Sequence, residues 1–132
     1  MARVLIIDDD APTRDVLRQL LNRDGYETIE AGDGYTGVQC TQVASLDVII
    51  LDMLLPDQNG LEVMRTLRQL NPAVPIIAIS GRGHTGTLDF LHGAEMLGAQ
   101  RTFQKPFQLQ ELLQAVHDLT PGKGRQGSVL VS

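Results

Sequence analysis

The chain of 132 residues contains a single cysteine, Cys40. One thiol can build neither an internal disulfide framework nor a cysteine-rich zinc site, so a reducing, cytoplasmic compartment is expected. No stretch of about 18 apolar residues occurs, which excludes a membrane-spanning helix and leaves no membrane partner. Met1–Ile7 carries one arginine and too short an apolar run for a secretory signal. Internal repeats are missing. So are a glycine-rich loop after the first apolar run and any GxxxxGK[ST] pattern, which removes the usual phosphate cradles of nucleotide-binding proteins. Basic residues are few and scattered in a chain of formal charge −5. Nucleic-acid backbones require clustered Lys and Arg, so no direct nucleic-acid partner is expected.

What is present suits one compact α/β domain: 42% of the residues are hydrophobic, enough for a core without staples. Short continuous apolar runs, Val4–Ile7, Val48–Leu51 and Val74–Ile79, read as strands covered on both faces. Tyr26–Glu30 and Arg101–Gln104 are weaker strand candidates. Between them the spacing becomes helical. Val16, Leu17, Leu20 and Leu21 share one face, Leu61, Met64, Leu67 and Leu70 another, and Leu109, Leu112, Leu113 and Val116 a third. Gly34–Ala44 and Thr87–Leu97 are less clear helices, interrupted by glycine. Gly25 and Asn71-Pro72 are stop signals after the first and third helices. Five strands alternating with five helices predict a doubly wound, five-stranded parallel sheet with helices on both faces. From Thr120 the chain changes character, and residues 121–132, rich in glycine at first, read as a flexible C-terminal tail behind a domain at 1–120.

Ligands of a doubly wound sheet bind beyond the carboxyl ends of its strands. Asp8, Asp9 and Asp10 follow the first run, the third ends on Asp52, Ser80 and Gly81 follow the fourth, and Lys105-Pro106 follows the fifth. Each alone is commonplace: an Asp run caps helices, a Ser closes turns, a Lys before Pro is usually solvated. All of them at eligible strand ends gather carboxylates, a hydroxyl and an ammonium on one rim. Crowded carboxylates repel unless a cation sits among them, and hard oxygens suit Mg²⁺, which also recruits phosphate oxygens. A carboxylate can attack phosphorus to give an acyl phosphate. An ammonium and a hydroxyl are suited to the charge that spreads over a phosphoryl group in transfer.

These residues resemble the response-regulator receiver family of bacterial two-component signalling, and the stand-alone type in particular. Val4-Leu5-Ile6-Ile7-Asp8-Asp9-Asp10 is similar to its first strand and acidic pair, and Ile49–Gly60 to its phosphoacceptor strand and loop, with Pro56 and Gly60 in place. Ile77-Ala78-Ile79-Ser80-Gly81 resembles its hydroxyl-bearing strand, and Gly98-Ala99 with Lys105-Pro106-Phe107 its last strand and lysine. The resemblance covers about residues 3–119. It implies a flavodoxin-like (βα)5 fold of strand order 2-1-3-4-5. Asp52 would accept a phosphoryl group from a histidine kinase or histidine phosphotransfer protein. Mg²⁺ would be held by Asp8, Asp9, Asp52 and the Leu54 carbonyl, with Ser80 and Lys105 meeting the phosphoryl group and a cis Lys105–Pro106 bond. The chain would be a phosphoacceptor, not an enzyme acting on an external substrate. With no output domain after the tail, it would act through a downstream protein, through onward phosphorelay or as a phosphorylation-dependent homodimer.

Two positions depart from the family pattern. The aromatic switch residue usually found three places before the lysine is replaced by Thr102, with Phe103 next to it. One residue along a strand reverses the side chain, so Phe103 is predicted to join the core. Leu54, two past Asp52, is apolar and is expected to slow hydrolysis by excluding water. It also stands where aspartate-nucleophile phosphatases carry a second Asp, which argues against that activity. A constitutive interaction module of the same fold is the alternative, opposed by the complete set Asp8, Asp9, Asp52, Ser80 and Lys105. Gly81-Arg82-Gly83-His84 is expected to be mobile. His84, His92 and His117 share no metal-ligand spacing. The partner surface is placed around Thr87–Leu97, Thr102 and the last helix, with Leu88, Phe90, Leu91 and Met96 as candidates.

Overall fold

A computed structural model describes residues 2–56, 58–81 and 87–122, the side chains of 87–90 excepted. The strands are β1 (Arg3–Ile7), β2 (Glu27–Ala31), β3 (Val48–Asp52), β4 (Ile76–Ser80) and β5 (Arg101–Gln104). The helices are α1 (Ala11–Arg23), α2 (Gly34–Val43), α3 (Gly60–Leu70), α4 (Thr87–Met96) and α5 (Leu109–Leu119). The strands form one parallel sheet in the order β2-β1-β3-β4-β5, the doubly wound arrangement expected.

Burial follows position in the sheet. Every residue of β3 and β4 is buried, whereas the edge strands β2 and β5 are largely half-exposed. A central parallel strand has helices over both faces and must be apolar throughout; an edge strand need not be. Alternate residues of the central strands feed two cores. Leu5, Ile7, Ile49, Leu51, Ile76 and Ala78 pack with Val63, Met64 and Leu67 of α3 and with Leu91 and Ala94 of α4. Val4, Ile6, Val48, Ile50, Ile77 and Ile79 pack with Leu17 and Leu21 of α1 and with Leu112, Leu113 and Val116 of α5.

Three helix starts, those of α1, α2 and α3, are capped by short polar side chains. The Asp10 carboxylate accepts from the Thr13 N–H at 3.1 Å, Asp33 from Thr36 at 2.7 Å and Asn59 from Leu61 at 2.9 Å. Gly25, at φ 91°, turns the chain out of α1 in a left-handed conformation that a side chain would resist.

Several boundaries and faces differ from expectation. β4 begins at Ile76, not Val74, because Pro75 has no N–H to donate and instead offers its carbonyl to Ile49. At its other end β4 pairs on through Ser80 with Gln104, so Ser80 is the last residue of the strand and does not follow it. Val16, Leu70 and Leu109, expected on apolar helix faces, are exposed; Leu70 is the last residue of α3 and Leu109 the first of α5, where a helix end runs out of neighbours to pack against. Leu91 is core and Met96 is exposed. His92 is exposed, while the half-buried His117 stacks on Tyr26 and bonds Asp24. The loop at 82–84, the side chains of Leu88 and Phe90 and the tail beyond 122 lie outside the described residues.

Candidate functional site

Parallel register brings the strand ends to one rim. Ile7 pairs with Leu51, Asp52 with Ile79, and Ser80 with Gln104. Backbone bonds continue past the strands: Asp8 N–H donates to the Ala31 carbonyl, Met53 N–H to Ile79 and Lys105 N–H to Ser80. Asp8, Asp52, Ser80 and Lys105 are thus fixed by the sheet itself.

The side chains converge there. Lys105 Nζ lies 3.2 Å from Asp8 Oδ2 and 3.2 Å from Asp52 Oδ2. Asp52 Oδ1 accepts from the Leu54 N–H at 2.8 Å, and Asp8 Oδ1 accepts from the Asp10 N–H at 2.8 Å. Asp8 and Asp52 are buried; Asp9 is exposed. Carboxylate oxygens of these three residues lie within 4.8 Å of one another. Three carboxylates against one ammonium leave two negative charges in a small volume. Burial and, less strongly, the Asp8 charge raise the Asp52 pKa, although the Leu54 N–H and Lys105 oppose this. Burial alone would lower the Lys105 pKa, but the charges of Asp52 and Asp8 and its bonds to them outweigh it, and the net shift is upward.

Ser80 Oγ is fully buried and has no hydrogen-bond partner among the described residues. Leaving such a hydroxyl unpaired costs about 1–3 kcal/mol, so its position calls for a polar visitor. Gly60, at the start of α3, allows the loop after Asp52 to close: a Cβ there would lie 2.2 Å from the Met53 carbonyl oxygen.

Of the residues singled out in the sequence, Asp8, Asp9, Asp52, Ser80 and Lys105 meet on this rim, and the backbone of Leu54 reaches it through its N–H. The Lys105–Pro106 bond is cis. Asp10, third of the acidic run, is the cap of α1, and its bonds to the Thr13 hydroxyl and N–H hold its carboxyl below the usual range. Thr102 is half-buried on β5 beside Ala78, whose side chain belongs to the α3–α4 core. Phe103 faces the other way, against the α1–α5 core and with its ring 5.4 Å from that of Phe107. Sequence reading missed Arg14, whose Nη1 donates to the Asp8 carbonyl at 2.6 Å. Nothing in its spacing sets it apart from a solvated arginine on α1.

Comparison with known proteins agrees with this geometry. Residues 4–117 match the model of the response regulator receiver domain. Sporulation initiation phosphotransferase F of Bacillus subtilis (strain 168) is 29% identical over 121 residues, spanning 92% of this chain and 95% of that protein. The DNA-binding response regulator MtrA of Mycobacterium tuberculosis (strain H37Rv) is 35% identical over 114 residues, covering 86% of this chain but 48% of MtrA. The chain thus spans about half the length of several curated relatives it matches. A crystal structure of a receiver domain protein from Clostridium thermocellum superposes with a TM-score of 0.83 at 29% identity, over 91% of this chain and 94% of that one.

Proposed function

The chain belongs to the response regulator receiver domain family of two-component systems, and from that premise we propose that it is a phosphorylation-driven signalling switch whose acceptor is Asp52. Receiver domains are phosphoacceptors and not enzymes in the ordinary sense, and the family binds Mg²⁺ at its acidic pocket. The observation that carries the reading is the buried Ser80 hydroxyl, without a partner among the described residues, on the same rim as the Asp52 carboxylate and the Lys105 ammonium. A phosphoryl group on Asp52 would give that hydroxyl the acceptor it lacks.

Asp8, Asp9 and Asp52, with the Leu54 carbonyl, would hold Mg²⁺, and the excess of two negative charges supports the fit. When bound, the ion offsets carboxylate repulsion and draws charge from the phosphoryl oxygens. The chain's own groups account for the rest. An oxygen of Asp52 attacks phosphorus of a phosphohistidine; an O–P bond forms, the P–N bond breaks, and the imidazole leaves and takes a proton from solvent. Burial disfavours the ionised Asp52 needed for attack, and Lys105, poised between Asp8 and Asp52, counters that cost. After transfer, the ammonium of Lys105 and the hydroxyl of Ser80 face the new anion.

Residues 1–120 then form the receiver module and 121–132 its C-terminal tail. The donor is a histidine kinase or histidine phosphotransfer protein, and the signal passes to a further protein or by onward phosphorelay. We assign the protein to the cytoplasm; no helix among the described residues is long and apolar enough to cross a membrane.

Intact-mass spectrometry after incubation with acetyl phosphate tests the reading. One added phosphoryl group that requires both Mg²⁺ and Asp52, and is lost in Asp52→Ala, is expected. A folded protein that gains nothing from acetyl phosphate or from a phosphohistidine donor would overturn it.

A further inference from the structure

All four polar features of Asp8 are engaged. Its N–H donates to the Ala31 carbonyl at 3.1 Å, Oδ1 accepts from the Asp10 N–H at 2.8 Å, Oδ2 accepts from Lys105 at 3.2 Å, and the carbonyl accepts from Arg14 Nη1 at 2.6 Å. That last bond falls on the peptide unit joining Asp8 to Asp9. A peptide unit is planar, so holding its carbonyl fixes the direction in which the chain enters Asp9. The Asp9 side chain is exposed and has no hydrogen bond of its own among the described residues. Its approach to Asp8 and Asp52 therefore depends on its backbone.

Arg14 is itself braced. Its Nε donates to Glu30 Oε1 at 3.2 Å, and Arg18 Nε lies 3.4 Å from the other oxygen of Glu30. Glu30 stands on β2, next to the Ala31 whose carbonyl holds the Asp8 N–H. Helix α1 and strand β2 thus grip the acidic turn together. The negative charge of Glu30 also offsets the guanidinium, which would otherwise oppose a cation at the three carboxylates.

We propose that Arg14 is a positioning residue for the acidic pair: its bond to the Asp8 carbonyl orients Asp9 toward a divalent cation shared with Asp52, and Glu30 holds the guanidinium in place. This rests on the reading of the site given above. Partners that orient metal ligands from outside typically alter affinity by about 10- to 100-fold when removed.

The test is Mn²⁺ affinity, read from the electron paramagnetic resonance of free Mn²⁺, for wild type, Arg14→Ala, Arg14→Lys and Glu30→Gln, each with its fold checked by circular dichroism. Arg14→Ala is expected to bind about 10-fold more weakly. Arg14→Lys should recover part of that loss, because an ammonium can reach one acceptor but lacks the planar fork that serves both. Glu30→Gln should weaken binding less than Arg14→Ala does. Wild-type affinity in Arg14→Ala, or in Arg14→Lys if the alanine variant does not fold, overturns this inference and leaves the site reading standing. A wild type that binds no Mn²⁺ overturns both.

Discussion

Replacing Asp52 by Asn should make the metal-free protein more stable. The carboxylate is 5% exposed, near the Asp8 carboxylate, and folding raises its pKa through burial first. The ionised form of Asp52 is therefore disfavoured in the folded state relative to the unfolded chain. Asn keeps an oxygen for the Leu54 N–H and removes one of the two uncompensated charges, while Lys105 keeps Asp8 at 3.2 Å. A more stable variant follows, and each kcal/mol gained is worth roughly 3–5 °C in Tm for a domain of this size. The pH dependence has a definite sign. Between the unfolded carboxyl value, about 3.9, and the raised folded value, the folded wild type binds the extra proton, so its stability falls as pH rises. The advantage of Asp52→Asn should thus be small near pH 4 and full once the raised value is passed. Lys105, raised by its acidic neighbours, contributes fully below its ordinary range and loses that contribution only as pH rises through the raised value, so it adds no slope here. The lowered carboxyls of Asp10 and Asp33 are shared by both proteins and cancel. Thermal unfolding followed by circular dichroism in EDTA, from pH 4 to 8, measures the difference. Added Mg²⁺ should then stabilise the wild type more than the variant, by mass action. A lower Tm for Asp52→Asn in EDTA, or a difference independent of pH, would refute the electrostatic account.

Three further outcomes are expected. Leu54→Asn, which puts a polar group in place of a half-buried apolar one beside the acceptor, should shorten the lifetime of phosphorylated protein followed by intact mass; an unchanged lifetime removes water exclusion as the role of Leu54. Gly60→Ala would place a Cβ 2.2 Å from the Met53 carbonyl oxygen, against backbone that cannot give way cheaply, and should cost about 2 kcal/mol or more in urea unfolding. Arg68→Met should destabilise by about 1–3 kcal/mol, with faster hydrogen exchange in the turn before β5. Arg68 Nη1 donates to the carbonyls of Val74 at 2.8 Å and Pro72 at 3.1 Å, and Nη2 to Gly98 at 2.9 Å; burial lowers its pKa, and the variant loses these charge-assisted bonds, leaving the part-buried Val74 carbonyl without its donor.

What the sequence made legible follows from the architecture. The central strands were plain as continuous apolar runs, because helices cover both faces of β1, β3 and β4. The edge strands β2 and β5 carried a weaker signal for the converse reason. Helix faces were read too widely: spacing put Val16 with Leu17, and Leu70 with Leu67, but Val16 is exposed and Leu70, at the last position of α3, lies beyond the buried stretch of its helix. Period-two reasoning placed Phe103 opposite Thr102, and its packing against Phe107 and the α1–α5 core agrees.

The same distinction explains the site. In a parallel sheet the strand ends are aligned by register, so residues far apart in sequence converge as soon as the strands are identified. Asp8, Asp52, Ser80 and Lys105 were legible in one dimension for that reason. Asp10 and Arg14 were not. Whether a carboxylate beside a helix start faces the site or turns back to cap the helix depends on local backbone angles, and in Asp10 the Thr13 N–H is the partner it takes. Whether an arginine one turn into α1 reaches a carbonyl or solvent depends on how that helix docks, which is set by Leu17 and Leu21 in the core and by Glu30 on the neighbouring strand. A strand-end chemistry is therefore readable from spacing alone, whereas the contacts that orient it come from helix docking, and Arg14 is where the two meet.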